Sequence, residues 1–169
     1  MEKSMNDNKP KSMASLLQIL QDSLIQKLDI LTVVEKKSME QAELLADSNV
    51  SMDVLDKNMD EKAELIEKIE KLDSGFEALY ESIRKELIEN KDSYKEQIWV
   101  IQQYVSEIMD RSVSIEAIES RNKVAVEMLL RNRKKSLQHK RTASSVARNY
   151  QKTAKNLNAV NPQFIDNKK

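Results

Sequence analysis

A single glycine, Gly75, in 169 residues is the feature that most limits the folds open to this chain. Phosphate-binding loops, dinucleotide-binding fingerprints and nucleophile elbows each need several glycines at fixed offsets. Hairpin turns use glycine and proline, and strands favour aromatic residues, yet the chain has only two prolines and 4% aromatic residues. These shortages exclude the glycine-dependent nucleotide sites and favour an all-α fold.

The residue types that build catalytic centres and metal sites are scarce as well. With no cysteine there are no disulfides, thiolate zinc sites or cysteine nucleophiles, and the single histidine, His139, cannot by itself form a metal site or a catalytic triad. Carboxylates are abundant, but their spacing is that of solvent-exposed helix faces, without apolar surroundings that would raise a pKa. The sequence therefore predicts no enzyme, cofactor, metal or small-molecule substrate.

Charge divides the chain into an acidic body and a basic C-terminal arm. Residues 1–130 carry 17 basic and 27 acidic side chains, whereas residues 131–169 carry 11 basic and one acidic. Such an arm can dock on its own body through contacts that salt would screen. It can also bind nucleic acid, but the negative body would repel a polyanion and the aromatic residues are too scattered for base stacking.

No run of about 18 apolar residues is present, so no membrane-spanning helix is expected. Residues 1–11 are polar and lack the apolar core of a signal peptide. We therefore expect a cytoplasmic protein.

Apolar residues recur at helical spacing over three stretches, with polar breaks near positions 48 and 91. The short breaks favour a chain that folds back on itself over one extended rod. The pattern predicts three long helices in an antiparallel, coiled-coil-like bundle over residues 12–137. Residues 1–11 are predicted to be a disordered N-terminus and 138–169 a basic, largely disordered, flexible arm. The predicted helices cover about 12–47, 51–90 and 93–137.

The apolar stripe of the third predicted helix alternates steps of four and three residues, but polar residues occupy it between Ser112 and Asn122. It becomes apolar again at Val126. Two interpretations fit. The polar positions set the register inside the bundle, or the helix leaves the bundle and offers an apolar patch near its end.

A small set of segments carries a family resemblance, namely Leu16–Leu20, Met52–Leu55, Asp60–Leu65, Glu119–Asn122, Tyr150 and Phe164–Lys169. Their order, over about residues 14–169, resembles that of the FlgN-type flagellar export chaperones. The similarity is carried by helix pattern more than by invariant residues, and the chain has no glycine between Tyr150 and Phe164, where related arms often carry one.

The resemblance implies a cytoplasmic chaperone that binds the C-terminal amphipathic helix of hook–filament junction proteins, prevents their premature assembly and delivers them to the cytoplasmic domain of the export gate. Tyr150 and Phe164 in the arm would then contact the gate. The late third helix offers a matching apolar stripe for the client, helix against helix. The candidate client-binding residues are Ile115, Ile118, Val126, Met128, Leu129 and Leu130.

Two other functions compete with this interpretation. A structural, homo-oligomeric coiled coil would form an elongated, stable oligomer on its own. A nucleic-acid-binding protein that uses the basic arm, the third choice, would show an affinity that falls steeply with salt.

Overall fold

The computed structural model describes residues 12–136 and 146–153, and over these residues the chain is helical with no strand. The all-α class is therefore confirmed. The predicted N-terminal segment, 1–11, and most of the predicted arm lie outside the described residues. The helices are α1 (Met13–Ala46), α2 (Met52–Glu89), a short 3-10 helix (Lys91–Tyr94), α3 (Lys95–Ser136) and α4 (146–153).

Polar side chains fix the start of α1 and the turn between α1 and α2. The Ser12 hydroxyl accepts a hydrogen bond from the Ser15 amide at 3.3 Å, which caps the first turn of α1. The Asp47 carboxylate accepts from the Asn49 amide at 2.9 Å in the turn between α1 and α2. The Arg133 guanidinium, near the end of α3, donates to the Ser48 carbonyl at 3.1 Å and ties α3 to that turn.

α1 lies between the other two long helices and packs against both. As residue numbers rise along α1, those of its contact residues on α2 fall, so the two helices run in opposite directions. The numbers of its contact residues on α3 rise, so α1 and α3 run in the same direction. The pairs that fix these directions are Lys27–Asp73, Lys37–Glu61, Glu35–Arg111 and Ser38–Glu119.

The core consists of two apolar clusters along the helix axes. The larger cluster holds the first two thirds of α1 against the last two thirds of α2 and the first half of α3. The smaller one, the turn-end cluster, lies beside the turn between α1 and α2, and α4 completes it. The buried members of the turn-end cluster are Val50, Leu55, Met59, Val126, Leu129, Val146 and Tyr150.

Gly75 lies inside α2, where no contact of the fold requires a glycine. A Cβ atom built there would meet nothing within 4 Å, which rules out a close helix crossing as its reason. We expect Gly75→Ala to raise the free energy of unfolding by about 1 kcal/mol, the usual helix-propensity difference. Urea denaturation measures this change.

The matched control for Gly75 is Ala78→Gly on the exposed face of the same helix, which should lower stability by a similar amount. A loss of stability in Gly75→Ala would contradict this account and would indicate a required bend at this position.

Candidate functional site

The structure buries most of the predicted client-binding stripe. Ile115 belongs to the larger cluster, Val126 and Leu129 belong to the turn-end cluster, and Ile118 is buried as well. Leu130 is half-buried beside the turn-end cluster, and Met128 is 55% exposed on the opposite face of α3. Of the predicted set, Met128 alone is freely exposed. The stripe is thus not an open patch: α3 stays in the bundle, and the rest of the stripe is largely covered by the chain itself.

The cover over Val126 and Leu129 is α4. Its buried residues are Val146, Tyr150 and Thr153, at steps of four and three, which is the spacing of one face of a helix. They are 1%, 4% and 0% exposed. Beneath them lies a surface that we call the α4 groove, formed by Leu55 and Met59 of α2 and by Val126 and Leu129 of α3.

Polar contacts hold the edges of α4. Asn149 donates one amide hydrogen bond to Asp56 at 2.5 Å and another to Asp60 at 3.2 Å. Burial, followed by the nearby carboxylate of Asp56, raises the pKa of Asp60, whereas Lys152 on α4 opposes that rise. The α2 edge of the groove is therefore acidic and meets the amide and ammonium groups of α4.

Tyr150 fixes the centre of α4. Its hydroxyl donates a hydrogen bond to the backbone carbonyl of Glu119. Burial and then the Glu119 carboxylate raise the pKa of this hydroxyl well above its ordinary value, so it is neutral in the folded chain. As a predicted gate contact, Tyr150 is thus occupied within the chain, and Phe164 lies outside the described residues.

Beneath Tyr150, a layer of buried polar side chains separates the two apolar clusters. We call it the polar layer. The Lys62 ammonium donates to the Glu119 carboxylate at 2.6 Å and to the Gln41 side-chain carbonyl. The Ser38 hydroxyl donates to the same Glu119 oxygen at 2.5 Å. The Asn122 amide donates to the Ser38 carbonyl at 2.9 Å and to Gln41 at 3.3 Å.

Burying the charged and polar groups of the polar layer carries an unfavourable desolvation free energy. Desolvation lowers the pKa of Lys62, and the Glu119 carboxylate opposes that shift through its charge and its hydrogen bond. The second oxygen of Glu119 and the amide nitrogen of Gln41 have no hydrogen-bond partner among the described residues. Hydrogen bonds satisfy the polar layer only in part, so we expect its net contribution to the free energy of unfolding to be small.

The sequence pattern signalled the polar layer only in part. Polar residues in the α3 stripe were noted, but the layer also needs Ser38 and Gln41 of α1 and Lys62 of α2. Each of these polar residues occupies a position that the four-and-three repeat of its helix assigns to the core, where an apolar residue is usual. Aligning the core positions of the three helices with one another reveals the polar layer in the sequence.

Two further hollows lie on the surface of the described residues. The first, about 500 Å³, lies between α1 and the start of α2 and is lined by acidic, basic and apolar side chains, including Glu40, Lys57 and Val54. The second, about 450 Å³, lies between α1 and α3 and includes Met39 and Ala125. No group of three metal-ligating side chains occurs within residues 12–136 and 146–153.

Comparison with known proteins gives no assignment. No family model matches the chain, and neither a curated protein nor a solved structure matches it. Among the helices described, none combines the length and the apolar character needed to cross a bilayer.

Proposed function

We propose that this protein is a cytoplasmic flagellar export chaperone of the FlgN type. In this proposal it binds the C-terminal amphipathic helix of a hook–filament junction protein, prevents premature assembly and delivers the client to the export gate. The bundle of α1–α3 would be coiled-coil-like, with consecutive long helices antiparallel, and the basic arm, 138–169, would carry the gate contact.

The observation that supports the proposal is the α4 groove. A chaperone of this kind needs a surface that accepts one amphipathic helix side-on. The groove holds α4 in that way, through Val146 and Tyr150 against apolar residues of α2 and α3. Leu129 and Val126, two of the candidate client residues, form one wall of it. Helix binding at this place is therefore chemically feasible, and the partner's identity rests on the resemblance.

A second candidate function, a structural homo-oligomer, draws on an exposed stripe along α3. Val113, Val124 and Met128 are 66%, 56% and 55% exposed on the face opposite the core. Exposed apolar side chains that share one helix face can take part in a protein–protein interface. A second copy of the chain could cover these residues through a coiled-coil contact.

Size-exclusion chromatography with light scattering separates the two functions. A chaperone should run as a monomer or weak dimer alone and should form a complex of defined mass with the junction protein. The control is the same junction protein without its C-terminal helix, which should not form the complex. An elongated oligomer of the chain alone, with no change on mixing, would contradict the chaperone proposal.

A further inference from the structure

The α4 groove has the properties of a ligand site that the chain itself fills. Its floor is apolar and fully buried, since Leu55 and Met59 are both 0% exposed. Removing α4 would expose those two side chains together with Val126 and Leu129. Soluble proteins rarely leave such contiguous apolar surface open, so an occupied groove is favoured over an open one.

The walls of the groove define the chemistry of that occupant. The floor takes three side chains spaced as Val146, Tyr150 and Thr153 are, over two turns of a helix. The α2 edge presents the carboxylates of Asp56 and Asp60, which select amide or cationic groups beside the apolar stripe.

We infer that the α4 groove is a binding site for an amphipathic helix with amide or basic residues along one edge, and that α4 occupies it until such a helix displaces α4. The inference rests on the proposed function in one respect, namely that the displacing helix is that of the junction protein. The site itself rests on the contacts of α4. The client and residues 146–153 then compete for the groove, so that binding of one releases the other.

The structure supports exchange rather than permanent closure. α4 contacts the groove over two helical turns, through Val146, Tyr150 and Thr153. Tyr150 covers the polar layer, and its departure would hydrate the Lys62–Glu119 pair, whose burial is unfavourable. Hydration of that pair offsets part of the loss of apolar burial. A helix with the same spacing that makes further contacts can therefore replace α4.

A crosslink that holds α4 in place tests the inference in the full-length chain. The chain has no cysteine, so Asp56→Cys with Asn149→Cys provides one unique thiol pair across a hydrogen-bonded contact. A short, cleavable bis-maleimide would lock α4, and reduction of the linker would release it. The probe is the C-terminal segment of a hook–filament junction protein from the same organism, titrated by calorimetry.

The locked chain should bind the probe at least about tenfold more weakly than the same chain after cleavage, because only the open fraction binds. The control is Lys37→Cys with Glu61→Cys, a pair in contact between α1 and α2, where locking should leave the affinity unchanged. Equal affinity in the locked and cleaved chains would overturn the inference and leave the proposed function intact. Failure of the thiols to crosslink would contradict the placement of α4.

An opening variant gives a second, independent test. Tyr150→Ala removes a buried ring and its hydrogen bond to Glu119, so it should raise affinity for the probe at least about fivefold. Gln151→Ala, on the exposed face of α4, is the matched control and should have no effect. Unchanged affinity in Tyr150→Ala would count against α4 as a competitor.

A second probe separates the inference from the proposed function. It is a synthetic peptide of this chain's own residues 142–157, added to the Tyr150→Ala variant. Binding of this peptide without binding of the junction segment would support the groove as a helix site and would contradict the chaperone function. Absence of peptide binding would overturn the groove as a helix site.

Discussion

Replacing Glu119 by alanine is expected to lower the free energy of unfolding by about 3–5 kcal/mol. Lys62 is 0% exposed and would remain buried without its carboxylate partner. Ser38 would lose its acceptor at the same time. Urea denaturation followed by circular dichroism measures the loss. Glu107→Ala, at an exposed position of the same helix, is the control and should change stability by less than about 0.5 kcal/mol.

The companion variant combines Lys62→Met with Glu119→Leu. Removing both charges also removes their desolvation, so most of the stability lost in Glu119→Ala should return. The bundle of this double variant should also stay helical. If the double variant were as unstable as the single one, the Lys62–Glu119 pair would be a net source of stability and our account of the polar layer would be wrong.

Leu55→Ala is the second substitution for which we expect a large loss of stability. Leu55 is 0% exposed in the floor of the α4 groove, and truncating such a side chain usually lowers the free energy of unfolding by about 2–5 kcal/mol. The neighbouring helix α4 should be loosened as well, because Val146 and Tyr150 belong to the same cluster. Urea denaturation gives the stability, and hydrogen exchange at 146–153 gives the loosening.

Val54→Ala is the control for Leu55→Ala, since Val54 adjoins it in α2 and is 48% exposed. This variant should change stability by less than about 0.5 kcal/mol. A similar, small effect of both substitutions would mean that α2 does not turn this face to the core, contrary to the fold described above.

Composition and apolar spacing were sufficient to predict the fold class. The scarcity of glycine, proline and aromatic residues removed the β-rich folds, and the spacing of Leu17, Leu20, Leu24 and Leu31 marked the core face of α1. Local signals of this kind work because each depends on residues within one helix. The polar breaks at 48 and 91 coincide with the turns between the helices for the same reason.

The candidate site could not be derived in the same way, because it depends on contacts between distant segments. The α3 stripe alone was compatible with a core or with an open patch. Only α4, which is separated from α3 in the chain, decides that Val126 and Leu129 are covered. Val146, Tyr150 and Thr153 carry too short a repeat to predict a docked helix from sequence. The contacts of Asp56 and Asp60 with α4 cannot be predicted from sequence either, because an acidic helix edge is ordinarily exposed to solvent.

Three features lie together at one end of the bundle. The polar layer links the three long helices, the α4 groove lies directly beside it, and Tyr150 joins the two through the Glu119 carbonyl. A partner helix that enters the groove would act on all three features. Client binding, if it occurs here, should thus alter the exposure of α4 and the hydration of the polar layer together.

The most direct test of the central claim is a calorimetric titration of the intact, purified chain with the C-terminal segment of a hook–filament junction protein. We expect saturable binding with one segment per chain. No heat of binding at high micromolar concentrations, together with an elongated oligomer in light scattering, would contradict it and would favour the structural coiled coil.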